Sequence, residues 1–168
     1  MAKEVSRFLT CLDFIYKMEG GFVNDPQDKG GMTFKGICRK YYPDLKIWNT
    51  IDDLLPNKNL INTLVSTEID DVYKKEYWDR CNCDLMEEPL DLIIFDTAVN
   101  MGVGRAKQFL RKTTDPDLYL YLRLDYYEEI CKNNPSQTKF LKGWTNRILS
   151  LCKETGVKID VDIWLNII

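Results

Sequence analysis

Apolar residues recur along most of this chain at spacings of three and four, the period of a helix with one buried face. Val5, Phe8, Leu12 and Ile15 open the pattern, and the next position on the same face is Glu19. A carboxylate therefore stands where a core residue belongs. Residues 51–55 and 60–64 read as short helical pieces around Pro56-Asn57. The stretch 65–78 reads as a longer helix, with Thr67 as its N-cap and Ile69, Val72, Tyr73 and Tyr77 along its apolar face. Pro89 opens another, with Leu90, Ile93, Ile94 and Ala98 on one side and a stop near Asn100-Met101-Gly102. Residues 103–113, 117–133 and 136–154 supply three more.

Only residues 22–37 break the helical period. They suit a loop or a small β-hairpin, a reading that their glycines weaken. The fold class is thus mainly α, with that one exception. No repeat, low-complexity run or flexible linker appears, and 168 residues are enough for one core, or for two small lobes sharing one. Glu87-Glu88-Pro89 interrupts the pattern, which divides the chain into lobes 1–88 and 89–168, packed together as one unit. Gly102-Val103-Gly104 lacks the third glycine of a dinucleotide loop and reads as a helix end.

Glu19 is followed by Gly20-Gly21 and then by a loop holding Asp25, Asp28, Gly30, Gly31 and Thr33. One half-buried acid thus faces a glycine-rich segment with a second carboxylate and a hydroxyl. That set suits cleavage of a glycosidic bond, whose leaving oxygen departs poorly unless a carboxylic acid protonates it, while a second group directs water to the other face of the sugar. Glu19 is the candidate acid, Asp28 the candidate base and Thr33 a hydroxyl to orient the water. The residues alone also allow plainer roles. A Glu before Gly-Gly can be a solvated last-turn residue, and Asp25, Asp28 and Thr33 can serve only to build turns.

Composition narrows the chemistry. The chain has no histidine, which removes Ser-His and Cys-His triads, His-ligated zinc and histidine acid–base catalysis, and leaves carboxylates to move protons. A net charge of -3 argues against general nucleic-acid binding. Arg105, Lys107, Arg111 and Lys112 form a local basic cluster, either a contact to an anionic wall or a solvated helix face. Cys11, Cys38, Cys81, Cys83, Cys131 and Cys152 lack zinc-site spacing and are expected as free thiols. No metal and no cofactor is expected. The first residues lack the basic and apolar regions of a secretory signal, and no run of 18 apolar residues occurs, so synthesis and folding in the cytoplasm without membrane insertion are expected.

Met18-Glu19-Gly20-Gly21-Phe22-Val23-Asn24-Asp25-Pro26, then Asp28, Gly30-Gly31, Thr33 and Gly36-Ile37, resembles the signature of the phage and bacterial muramidases of glycoside hydrolase family 108. The likeness continues through Tyr77-Trp78-Asp79, residues 95–102 and residues 140–147. It implies a lysozyme-like helical fold, peptidoglycan glycan strands as substrate, and Glu19 as the acid. Asp28 and Thr33 match by analogy with the Glu, Asp/Cys, Thr arrangement of phage-type lysozymes. The second half resembles the family's peptidoglycan-binding domain. The Asp-Gly loop typical of that domain is replaced by Thr113-Thr114-Asp115-Pro116-Asp117, so this half is expected to pack against the first rather than grip wall alone. The resemblance further implies a phage endolysin, released when a separate protein permeabilises the membrane.

Tyr77, Trp78, Tyr126, Tyr127 and Trp144 could line a sugar groove by stacking, or fill the core. Of these, Tyr77, Trp78 and Trp144 are the candidate substrate contacts, and Asn100, at a helix end, is the candidate partner of an N-acetyl group. The expected activity is hydrolysis of the β-1,4 bond between N-acetylmuramic acid and N-acetylglucosamine by a monomeric lysozyme. The alternatives are a non-catalytic glycan-binding or secretion-accessory protein on the same fold, and a helical regulatory or nucleic-acid-binding protein, which the acidic charge disfavours.

Overall fold

The computed structural model describes residues 6–25 and 31–160. Val5, Asp28 and Gly30 lie outside the described residues. Within them the chain forms eight α-helices and three two-residue strands, the mainly-α class expected. They fall into two compact units, one ending at Glu76 and the other beginning at Tyr77. The break in the sequence pattern at 87–89 lies inside the second.

The first unit begins with α1, Arg7–Glu19. Ser6 caps it, its side chain accepting from the Leu9 N–H at 3.4 Å. Phe8, Cys11, Leu12, Phe14 and Ile15 are buried, so the stripe that ends at Glu19 is a core face. The helix stops because Gly20 turns left-handed, at φ 79°, with its N–H donating to the Tyr16 carbonyl at 3.2 Å.

Strands β1 (Phe22–Val23), β2 (Thr33–Phe34) and β3 (Ile37–Cys38) form an antiparallel sheet in that order. Phe22 pairs with Phe34, Val23 and Cys38 flank Thr33, and Phe34 pairs with Ile37. Between β2 and β3 only Lys35 and Gly36 remain, with φ of 47° and 78°, the left-handed pair that a two-residue hairpin turn requires. The region expected as a single hairpin therefore holds a third strand, and a glycine taken as weakening it makes the turn.

Three helices complete the unit: α2 (Ile47–Leu54), α3 (Lys58–Asn62) and α4 (Thr67–Tyr73). Ser66 caps α4 in place of the expected Thr67, its hydroxyl accepting from the Ile69 N–H at 3.4 Å. The Glu68 carboxylate accepts from the Ile47 N–H at 3.1 Å and so occupies an otherwise open donor at the start of α2. The helix expected over 65–78 is not uniform, because from Lys74 to Trp78 the chain widens to a π-helical pitch.

The second unit is organised by α5, Leu90–Met101, with α6 (Val103–Leu110) and α7 (Pro116–Asn133) packed on it and α8 (Thr138–Thr155) packed on α7. Every residue of α5 from Leu90 to Ala98 is buried, so it is a central helix rather than the one-sided helix its spacing predicts. Gly102 ends α5 at φ 87° and starts α6, as read from the Gly-Val-Gly stretch. All six cysteines are free thiols, four of them buried. Among the described residues no helix is long and apolar enough to cross a membrane.

Candidate active site

Glu19 is half-buried at the last position of α1. Its aliphatic part rests on the β2–β3 turn, since a Cβ built on Gly36 would stand 3.0 Å from both Cβ and Cγ of Glu19. The same Cβ would run into the Tyr73 hydroxyl, which donates to the Lys35 carbonyl at 2.8 Å. Tyr73 thus pins the turn on one side while Glu19 packs on the other. Tyr16, one turn before Glu19, meets Tyr73 edge-on with ring centroids 5.7 Å apart and donates a short hydrogen bond to Asp70. Burial holds the Tyr16 hydroxyl far above the ordinary tyrosine pKa, and the bond to Asp70 adds to the effect. The Lys35 ammonium lies over the Tyr16 ring, 4.3 Å from its centroid. Aromatic and hydrogen-bonded contacts among α1, the turn and α4 therefore hold the turn against which Glu19 packs.

The glycine after Glu19 is held as closely. The Asn62 side-chain oxygen accepts from the Phe22 N–H at 2.7 Å, and a Cβ on Gly21 would collide with that amide. Residue 21 must be glycine for α3 to clamp the chain where it leaves α1. Thr33 is half-buried at the head of β2, paired to both neighbouring strands.

The sugar-contact candidates have different surroundings. Trp78 is 1% exposed, donates from its indole nitrogen to Asp84 at 2.8 Å and meets Phe95 edge-on. It fills the core and has no open face for a sugar, which corrects the expectation that it contacts substrate. Tyr77 is half-buried. Asn100 and Trp144 are also half-buried and are linked through Tyr127, whose hydroxyl donates to the Asn100 Oδ1 at 2.7 Å and whose ring stacks on Trp144 at 4.9 Å.

Beneath Asn100 lies a buried charge cluster. Arg123 and Asp96 are both fully buried, with Nη1 donating to Oδ2 at 2.6 Å, and Arg147 donates from Nε to the other oxygen at 2.8 Å. Arg123 also donates to the Tyr127 hydroxyl at 3.0 Å and to the Asn100 Oδ1 at 3.3 Å. Burial alone would lower the Arg123 pKa, but the adjacent Asp96 carboxylate outweighs it and holds the guanidinium charged.

A family model described as Glycosyl hydrolase 108 matches residues 12–102, from within α1 past the end of α5, more than half of the chain. The chain belongs to the glycosyl hydrolase 108 family. It is thereby a glycoside hydrolase by family. A solved structure of SagA from Brucella abortus is similar at 23% identity, with 88% of this chain and 92% of that chain covered and a TM-score of 0.61. That likeness extends over both halves and agrees with the lysozyme-like helical fold expected. No curated protein gives a significant match.

Within the glycosyl hydrolase 108 match, Glu19 and Thr33 have described positions, and Asp28 lies outside the described residues. Nothing in the sequence pattern marks the supports Tyr16, Lys35, Asn62, Asp70 and Tyr73 as site residues. Tyr73 read as an apolar-face residue, and only its hydroxyl contact across 38 positions distinguishes it. Asp96 carried a visible signal, a carboxylate ending the apolar run Leu92-Ile93-Ile94-Phe95.

Proposed function

We propose that this protein is an N-acetylmuramidase that hydrolyses the β-1,4 bond between N-acetylmuramic acid and N-acetylglucosamine in peptidoglycan. The observation that carries the reading is Glu19. In a glycosyl hydrolase 108 chain it is a half-buried carboxyl at a helix end, braced by Gly36 and by the Tyr73-held turn rather than left on a solvated surface. A general acid must keep its proton position fixed relative to the leaving oxygen, and such bracing supplies that.

Glu19 protonates the glycosidic oxygen as the bond breaks. Asp28, aided by the Thr33 hydroxyl, deprotonates and places the water that attacks from the opposite face, so the anomeric centre inverts and the first product is the α-anomer. Asn100, Tyr77 and Trp144 contact the glycan. No step requires a metal or cofactor. The protein acts as a monomer and, as an endolysin, reaches the wall from the cytoplasm after a separate protein opens the membrane.

Mass spectrometry of digested sacculi tests the bond choice. Products with reducing-end muramic acid support the muramidase reading, whereas reducing-end glucosamine makes the protein a glucosaminidase. NMR of the first product from a defined oligosaccharide tests the water-directing pair, because an initial β-anomer would remove Asp28 from that role. Purified sacculi that bind the protein without losing turbidity would turn the reading to a non-catalytic glycan-binding protein.

A further inference from the structure

We infer that Arg123 and Tyr127 are positioning residues that fix the polarity of the Asn100 amide, so that it presents only its N–H₂ outward and selects a carbonyl-bearing sugar, an N-acetylated one over its free-amine counterpart. The inference rests on the proposed glycan substrate and adds the means by which the acetamide is read.

The argument begins with what each partner can donate. A guanidinium has five N–H donors and no acceptor, so the Asn100 atom facing Arg123 at 3.3 Å has to be the oxygen. The Tyr127 hydroxyl donates to that same oxygen at 2.7 Å, and it accepts in turn from the Arg123 Nε at 3.0 Å. Both lone pairs of the amide oxygen are therefore used. Arg123 cannot swing away, because Asp96 and Thr97 take its remaining nitrogen at 2.6 and 3.3 Å in a fully buried setting. An amide that could flip would offer either an acceptor or a donor. This one offers a donor, since among the described residues Nδ2 donates to nothing while the side chain is half-exposed.

The ligand class follows from that donor and its surroundings. An outward N–H₂ seeks an acceptor, and a free amino group offers in place of a carbonyl oxygen only one nitrogen lone pair, which it loses on protonation. An acetamide has a carbonyl oxygen and a methyl group. Beside Asn100, the Tyr127 ring leads by stacking to half-buried Trp144 and then, at 6.0 Å, to Phe140, which is 45% exposed. Apolar surface next to a fixed donor matches the methyl and carbonyl of one N-acetyl group.

The test uses the full chain carrying Glu19→Gln, so that ligand is not consumed, and calorimetric binding of a hexamer of N-acetylglucosamine against the fully deacetylated hexamer. The acetylated oligomer should bind about three- to tenfold more tightly, the worth of one neutral hydrogen bond. The net charge of -3 would favour the cationic deacetylated oligomer, so the comparison is set against the inference. Asn100→Asp, which replaces the donor by an acceptor, should abolish the preference, and Tyr127→Phe should reduce it while retaining binding. A preference unchanged in both variants overturns the inference.

A direct reading needs neither variant. In the ¹⁵N-labelled Glu19→Gln chain, the assigned Asn100 side-chain N–H₂ resonances should shift with the acetylated oligomer and stay fixed with the deacetylated one. Equal response to both, or to neither, also overturns it. Hydrolysis by the wild-type chain is scored separately, so a protein that cleaves without acetyl preference refutes the amide's role alone, and one that shows the preference without cleaving refutes the enzymatic reading alone.

Discussion

Glu19 stands so close to Gly36 at the sheet turn that no side chain fits on Gly36. A Cβ there would lie 3.0 Å from two carbons of Glu19, would strike the Tyr73 hydroxyl, and would sit on a backbone at φ 78°. Gly36→Ala should therefore move Glu19 or open the turn, and activity on sacculi should fall by at least about tenfold, since a misplacement of order 1 Å at a reacting group can cost up to about a hundredfold. Gly143→Ala is the control. Gly143 is exposed within α8, meets nothing within 4 Å and gains helix propensity, so the variant should keep activity and gain about 0.5–1 kcal/mol. Equal activity of the two variants would show that the turn does not support Glu19.

Glu19→Gln keeps the size and most of the packing of the side chain and removes only its capacity to give a carboxylic proton. Sacculus lysis should drop by at least the roughly 10²–10⁴-fold attributed to general acid catalysis, with an unchanged circular-dichroism spectrum and thermal midpoint. A variant that retained more than about a tenth of wild-type activity would exclude Glu19 from the acid role.

The sequence pattern was legible where one element's own residues decide its structure, and illegible where distant chain segments decide. α1 and Glu19 at its end followed from spacing alone, and so did the stop at Gly102, because a helical face and a glycine end are local. The third strand was not visible. Two-residue strands carry almost no period, and β3 forms because Lys35 and Gly36 adopt a left-handed turn held by Tyr73, 38 residues on. Trp78 is ambiguous in sequence for a similar reason. A tryptophan suits a sugar platform or a core equally well by composition, and only its contacts with Phe95 and Asp84 place it inside. α5 reads as one-sided from the spacing of Leu90, Ile93, Ile94 and Ala98, yet Asp91, Asp96 and Thr97 are buried as well, Asp96 against Arg123 and Arg147.

That cluster gives a stability prediction independent of catalysis. Asp96→Asn removes the carboxylate that faces two arginines and leaves the Arg123 cation, 0% exposed, without its counter-charge. Removing one member of a buried pair costs about 3–5 kcal/mol, so denaturant unfolding should show a loss of that order and a melting point lower by roughly 6–20 °C for a chain of this size. Exposed Asp71, which pairs with Lys75 at 3.5 Å within one helical turn, is the comparison. Asp71→Asn should change stability by no more than about 0.5 kcal/mol. Similar losses in the two variants would mean that the buried cluster contributes no more than a surface pair.

Tyr16 and Tyr119 give a pH dependence with a definite sign. Burial holds both hydroxyls above the ordinary tyrosine pKa of about 10, reinforced at Tyr16 by its bond to Asp70 and opposed at Tyr119 by Thr97 and Arg123. In the unfolded chain both return to about 10, so the folded state binds these protons more tightly. Their contribution to stability is fully present below pH of about 10 and is lost as the pH rises through the higher folded-state values. In an absorbance titration of the phenolate band, at least these two of the nine tyrosines should stay un-ionised in the folded protein near pH 11 and appear together on unfolding. Tyr16→Phe should reduce that delayed amplitude by one tyrosine. If all nine ionised reversibly near pH 10 with the fold intact, the buried hydrogen-bonded positions of Tyr16 and Tyr119 would be wrong.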